Sequence, residues 1–145
     1  MTKLDQSMLQ ARIKLMMKYL DRLRRIEGTT LDDYNSDFDQ QLIVERLLQL
    51  LVEAASDINT SLLTEIYGVT PSTYFNSFIE AGEQNIIDLQ LAKTIAQSAG
   101  LRNRLVHQYE EIDNEIVFEA IQYALEQFPL YLRQITNYLD TLEEL

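Results

Sequence analysis

Apolar residues recur every three or four positions along almost the whole chain, and that spacing specifies helices. Between Leu4 and Ile26 two such stripes run side by side. One is Leu4, Met8, Ala11, Leu15 and Tyr19; the other is Leu9, Ile13, Met16, Leu20 and Leu23. At about 100° per residue they merge into one wide apolar face, broad enough to meet a core and a second surface such as a partner subunit. No window alternates in the manner of a half-buried strand. Helix breakers are scarce, four Gly and two Pro in 145 residues, so they act as punctuation. Gly28 closes the first segment, Gly68 and Pro71 mark a loop, and Gly82 and Gly100 mark two further stops.

Asp37 opens the next helix, with Gln40 in capping-box position. Leu42, Ile43, Val44, Leu47, Leu48, Leu50, Leu51, Val52, Ala54, Ala55 and Ile58 leave it apolar nearly all round, as expected of a central buried helix. A short helix over 72–81 turns Tyr74, Phe75 and Phe78 inward. Another starts near Asp88 and carries Leu89, Leu91, Ala92, Ile95, Ala96 and Ala99. The last runs from an N-cap at Asp113 to about Leu142. Pro129 cannot donate to the Leu125 carbonyl, so a kink or break is expected there. The expected fold is all-α, an antiparallel bundle of four or five helices in a single domain spanning 1–145.

The chain has no Cys and one His. A disulfide scaffold, a thiolate zinc site and an imidazole-rich metal site are excluded, and neither metal nor cofactor is expected. No apolar run approaches the roughly 18 residues of a membrane span. The N-terminus lacks a charged-then-apolar leader pattern, so the expected location is cytoplasmic. A formal net charge of −11 argues against nucleic acid, but the charge is unevenly spread. Residues 1–25 hold seven basic side chains against two acidic ones, Asp5 and Asp21. Such a strip either attracts a polyanion through its local field or is simply the solvated face of a helix.

Residues 101–113, LRNRLVHQYEEID, form the polar cluster least like a solvated helix face. Gly100 and Asp113 bracket it as a short element, anchored by Leu105 and Val106. Arg102 and His107 are five apart, about 140° on a continuous helix, so they flank a groove. His serves as general acid or base near neutral pH, and Arg grips a phosphate and stabilises charge developing on it. Together they are the minimum for metal-free RNA cleavage. One group takes the 2′-OH proton, a second protonates the leaving 5′ oxygen, and a cation stabilises the phosphorane. One chain has one His, so two imidazoles require two chains related by a two-fold axis. A plain structural role stands beside this: the segment caps a helix junction, with Glu110, Glu111 or Asp113 pairing with Arg102 or Arg104. Tyr109 is then one more half-buried packing residue.

Arg102, His107 and Tyr109 spell R-x4-H-x-Y, and here the sequence resembles the HEPN ribonucleases. More narrowly it resembles the HepT toxins of the HepT–MntA (HEPN–MNT) toxin–antitoxin modules of prokaryotes. The likeness extends to Arg102–Asn103, Leu105–His107, Ile112–Asp113, the run Glu45–Ile58 and Glu80–Gly82. The resemblance implies a helical homodimer whose two motifs form one composite ribonuclease site. It implies Arg102 and His107 as catalytic residues and Asn103 as their polar support. RNA is the implied substrate, with tRNA the expectation. It implies an MNT-type nucleotidyltransferase antitoxin that transfers AMP to Tyr109, adding bulk and negative charge where an RNA phosphate must bind. Arg104, with Arg22 and Arg25 of the basic strip, are candidate RNA contacts. The alternative is a non-catalytic helical partner or regulatory subunit of a nucleotidyltransferase.

Overall fold

A computed structural model describes residues 4–107 and 112–143, and the described residues form seven helices and no strand. They are α1 (Gln6–Arg24), α2 (Leu31–Asn35), α3 (Phe38–Tyr67), α4 (Tyr74–Glu83), α5 (Leu89–Ile95), α6 (Gln97–His107) and α7 (Asn114–Glu143). The starts follow cap chemistry. Asp5, Thr30, Asp37, Thr73 and Asp88 each accept, through a side-chain oxygen, the backbone N–H three residues on. Asp113 accepts from Glu115 at the head of α7. Gly68 ends α3 in the left-handed region, at φ 66°.

The long helix α3 is the axis, and every other helix except α5 packs on it. The helix α1 runs antiparallel to it, since Arg12 near the start of α1 meets Asp57 in the second half of α3. The helix α7 runs the same way as α3: Tyr131 meets Asn59, and Tyr138 meets Tyr67. The chain makes this possible by returning through α4, α5 and α6. The core between them buries Phe78, Tyr131 and Phe128, whose rings meet edge to face at 6.0 and 6.5 Å.

Several local expectations change. Of the two α1 stripes, Leu9, Ile13, Met16, Leu20 and Leu23 are buried, while Ala11 and Leu15 stay exposed. The first turns of α3 are one-sided: Val44 is buried, but Leu42 and Ile43 face outward. Phe75 is 42% exposed, not inward, because it lies about 60° round α4 from Phe78, on the outer flank. Leu89, in the first turn of α5, is also exposed. The stretch from Asp88 to Ala99 is two helices, hinged at Ala96, and α2 was not foreseen. Gly82 and Gly100 are not stops but helical residues of α4 and α6. Pro129 does not break α7 either, for the proline costs only the one bond to the Leu125 carbonyl. None of the described helices is long and apolar enough to cross a membrane.

Candidate active site

The cluster 101–107 belongs to α6, which begins at Gln97 and passes through Gly100 without interruption. Ala99 and Leu105 are its buried contacts, and they fix which face turns outward. A glycine inside a helix costs roughly 1 kcal/mol relative to alanine, an amount that packing of this kind offsets. On the outward face Arg102, Asn103 and His107 line one open groove of about 800 Å³. The first half of α1, the second half of α3 and the Pro71–Tyr74 segment make the opposite walls. The 140° between Arg102 and His107 therefore brackets a groove, as their spacing requires.

Arg102 is held on three sides. Its Nε and Nη2 donate to a single oxygen of Glu53 on α3, at 3.0 and 2.9 Å. Gln49, one turn earlier, donates to that same oxygen at 2.9 Å. Nη1 donates to Oδ1 of Asn103 at 3.3 Å. The guanidinium carbon lies 4.4 Å from the centre of the Tyr74 ring, within cation–π range. The side chains of Arg102 and Glu53 are only 13% and 28% exposed, so solvent screens this pair far less than a surface pair. His107, by contrast, is exposed on the last turn of α6.

Across the groove Arg12 pairs with Asp57 at 3.0 Å, both well exposed. Thr60, Ser61, Thr64 and Ser72 add hydroxyls to the walls. The groove is thus mixed in charge, with Arg12 and Arg102 facing carboxylates and hydroxyls.

The structure divides the other candidates. Arg104 lies about 200° round α6 from Arg102. It lines a separate, more apolar cavity of about 340 Å³ against α7, with Glu119 and Tyr123. Arg22 and Arg25 lie at the far end of α1, roughly 15–20 Å along the helix from Arg12. Neither is among the residues lining the groove. Arg102 takes its carboxylate from Glu53, and Asp113 is engaged in capping α7. Tyr109, Glu110 and Glu111 lie outside the described residues.

The sequence reading missed Glu53, Arg12 and the ring of Tyr74 as parts of this site. Glu53 carried a signal, since it is the one charge in the apolar run from Leu47 to Ser56.

The family described as "Ribonuclease HepT-like" matches residues 16–135. The tRNA nuclease HepT of Aphanizomenon flos-aquae (strain 2012/KM1/D3) is 51% identical over 144 residues, 99% of this chain and 98% of that protein. The mRNA nuclease HepT of Shewanella oneidensis is 27% identical over 121 residues, 83% of this chain and 90% of that one. Among solved structures, the tri-AMPylated Shewanella oneidensis HEPN toxin in complex with MNT antitoxin superposes with a TM-score of 0.81. It is 26% identical, over 90% of this chain and 97% of that one. A helical fold of the same kind, a groove lined by the motif's Arg and His, and a match over nearly the full length meet in one conclusion: the chain belongs to the HepT-like ribonuclease family.

Proposed function

We propose that this chain is the toxin of a HEPN–MNT toxin–antitoxin pair and cleaves tRNA without a metal, at a site composed from two copies of itself. The observation that carries this is the joint placement of Arg102, Asn103 and His107 on one groove. The full-length relative that is a tRNA nuclease supports tRNA as the substrate.

In the cleavage step the ribose 2′-oxygen attacks the adjacent phosphorus and the 5′-oxygen leaves. One imidazole takes the 2′ proton, and an imidazolium gives a proton to the leaving oxygen. The products are a 2′,3′-cyclic phosphate and a 5′-hydroxyl. Each chain supplies a single His107, so the second imidazole comes from the other copy. Arg102 stabilises the charge that builds on the phosphorane. Asn103 supports it through the Nη1 contact.

The partner is an MNT-type nucleotidyltransferase antitoxin, and Tyr109 is the AMP acceptor. The Shewanella toxin carries AMP groups in its complex with an MNT antitoxin, which supports this reading. A single residue, Gln108, separates Tyr109 from His107 in sequence, so AMP there sets a phosphate and a bulky nucleoside close to His107.

The test is growth arrest on induction of the chain alone, with small RNA resolved on a gel. Arrest and shortened tRNA are expected, unaffected by a chelator in purified reactions and abolished by His107→Ala or Arg102→Ala. Undiminished cleavage by a well-folded His107→Ala dimer, or loss of cleavage in EDTA, overturns the proposal.

A further inference from the structure

We infer that Glu53 and Tyr74 are positioning residues that fix the Arg102 guanidinium in the plane and direction needed to meet an RNA phosphate. The inference rests on the catalytic reading of Arg102 above.

A guanidinium has five N–H donors in a rigid fork. Glu53 takes the one on Nε and one on Nη2, and Asn103 takes one on Nη1. Two donors remain, one on each terminal nitrogen. Two terminal donors are what a phosphate receives from an arginine in a paired grip. Glu53 thus selects which edge of the fork is left for a ligand. Tyr74 backs the guanidinium from one side, because the guanidinium carbon lies over its ring, 4.4 Å from the ring centre.

Both supports are themselves anchored. Gln49 holds the Glu53 oxygen from the same helix. Tyr74 is the first residue of α4, whose N-terminus is closed by Thr73 accepting from Asn76 at 3.0 Å. The Tyr74 carbonyl accepts from the Ser77 hydroxyl at 2.8 Å. A long, otherwise flexible side chain is therefore ordered before any substrate arrives, and such pre-ordering lowers the entropic part of a reaction barrier.

Glu53 also opposes the charge of Arg102, and this separates positioning from mere binding. Glu53→Gln keeps one acceptor oxygen but removes the charge. RNA then binds no more weakly, while the guanidinium loses its strongest restraint. The expected result is a kcat at least tenfold lower on total tRNA with no rise in KM, since small misplacements of a reacting group cost about 10²-fold. Tyr74→Phe keeps the aromatic face and is expected to cleave within about twofold of the parent, whereas Tyr74→Leu falls about five- to tenfold.

The experiment is single-turnover and steady-state cleavage of total tRNA by these variants, by Arg102→Ala and by the Glu53→Gln/Arg102→Ala double variant. The double variant is expected to be no slower than Arg102→Ala alone, because Glu53 acts through Arg102. Losses that multiply, or a raised KM with kcat unchanged in Glu53→Gln, overturn the inference. So does parental cleavage by Glu53→Gln beside an inactive Arg102→Ala. If Glu53→Gln fails to fold, equal rates for Tyr74→Phe and Tyr74→Leu overturn it. Parental cleavage by Arg102→Ala instead sinks the catalytic reading on which the inference depends.

Discussion

The hydroxyl of Tyr131 donates to Oδ1 of Asn59, and both residues are wholly buried. From there a polar chain crosses the core. Asn59 Nδ2 donates to the Ser77 hydroxyl at 3.3 Å, Ser56 donates to that hydroxyl at 3.0 Å, and Ser77 donates to the Tyr74 carbonyl at 2.8 Å. Three helices, α7, α3 and α4, are thereby tied together behind the groove. A buried network of this kind stabilises only when every member is paired. Tyr131→Phe leaves Asn59 Oδ1 without its partner in a dry site. The expected cost is about 1–3 kcal/mol, read as a lower urea midpoint at an unchanged m-value.

At Gly82, α4 comes close against α5. A Cβ built there comes within 2.5 Å of Ala92 Cβ and 3.3 Å of Leu89 Cα. The second neighbour is backbone and cannot swing aside, so the two helices must separate. Gly82→Ala is expected to destabilise the fold by about 1–3 kcal/mol. Gly100→Ala serves as the control, because nothing stands within 4 Å of its added carbon. In mid-helix that substitution should stabilise by up to about 1 kcal/mol. Thermal unfolding of the two variants side by side checks both signs.

The contrast between these two glycines shows where sequence reasoning works here and where it stops. Both look like helix stops in the sequence, because a helix interior disfavours glycine wherever it occurs. Only packing reveals that Gly82 is needed for a close crossing while Gly100 is merely tolerated. The all-α class, the caps at Asp37 and Asp113 and the helix start near Asp88 were legible because they depend on local chemistry. The shared groove of Arg102 and His107 was legible because their spacing on one helix sets their common face, whereas Asn103 entered through the family resemblance. Glu53 and Tyr74 were not legible, since 49 residues separate Glu53 from Arg102. Their meeting depends on how α3, α4 and α6 cross. Arg104 stands apart for a related reason: adjacency in sequence puts it close to the motif, but helical geometry turns it to another cavity.

Arg12 is the member of the basic N-terminal strip that lines the groove. Its pair with Asp57 is exposed, and exposed pairs contribute little, so a phosphate can replace the carboxylate. Arg12→Ala is expected to weaken tRNA binding and to lower the slope of log K against log salt by about one. Asp57→Asn is expected to act in the opposite direction, tightening binding. Arg22→Ala and Arg25→Ala should leave the slope unchanged if the groove is the whole RNA track. Nitrocellulose filter binding over a salt series separates these cases. A slope change of equal size in all three arginine variants would return Arg22 and Arg25 to the RNA surface.

Glu45, on α3, has its carboxyl pushed above the usual range by burial. Its charge also helps to raise the hydroxyl of nearby Tyr34, although burial is the larger cause there. For a carboxyl raised on folding, the stabilising contribution belongs to the protonated form. It is fully present below the unfolded value of 4.5 and is lost as pH rises through the higher folded value. At pH 7 the charged Glu45 therefore opposes folding. Glu45→Gln removes a titrating group while keeping its size and polarity. The variant is expected to have a higher Tm than the parent at pH 7. The gap should narrow through the weakly acidic range and close at about pH 4, where Glu45 is protonated in both states. Melting curves of the pair from pH 4 to pH 8 test this directly. A gap that stays constant with pH would mean that the carboxyl is as well solvated in the fold as in the unfolded chain.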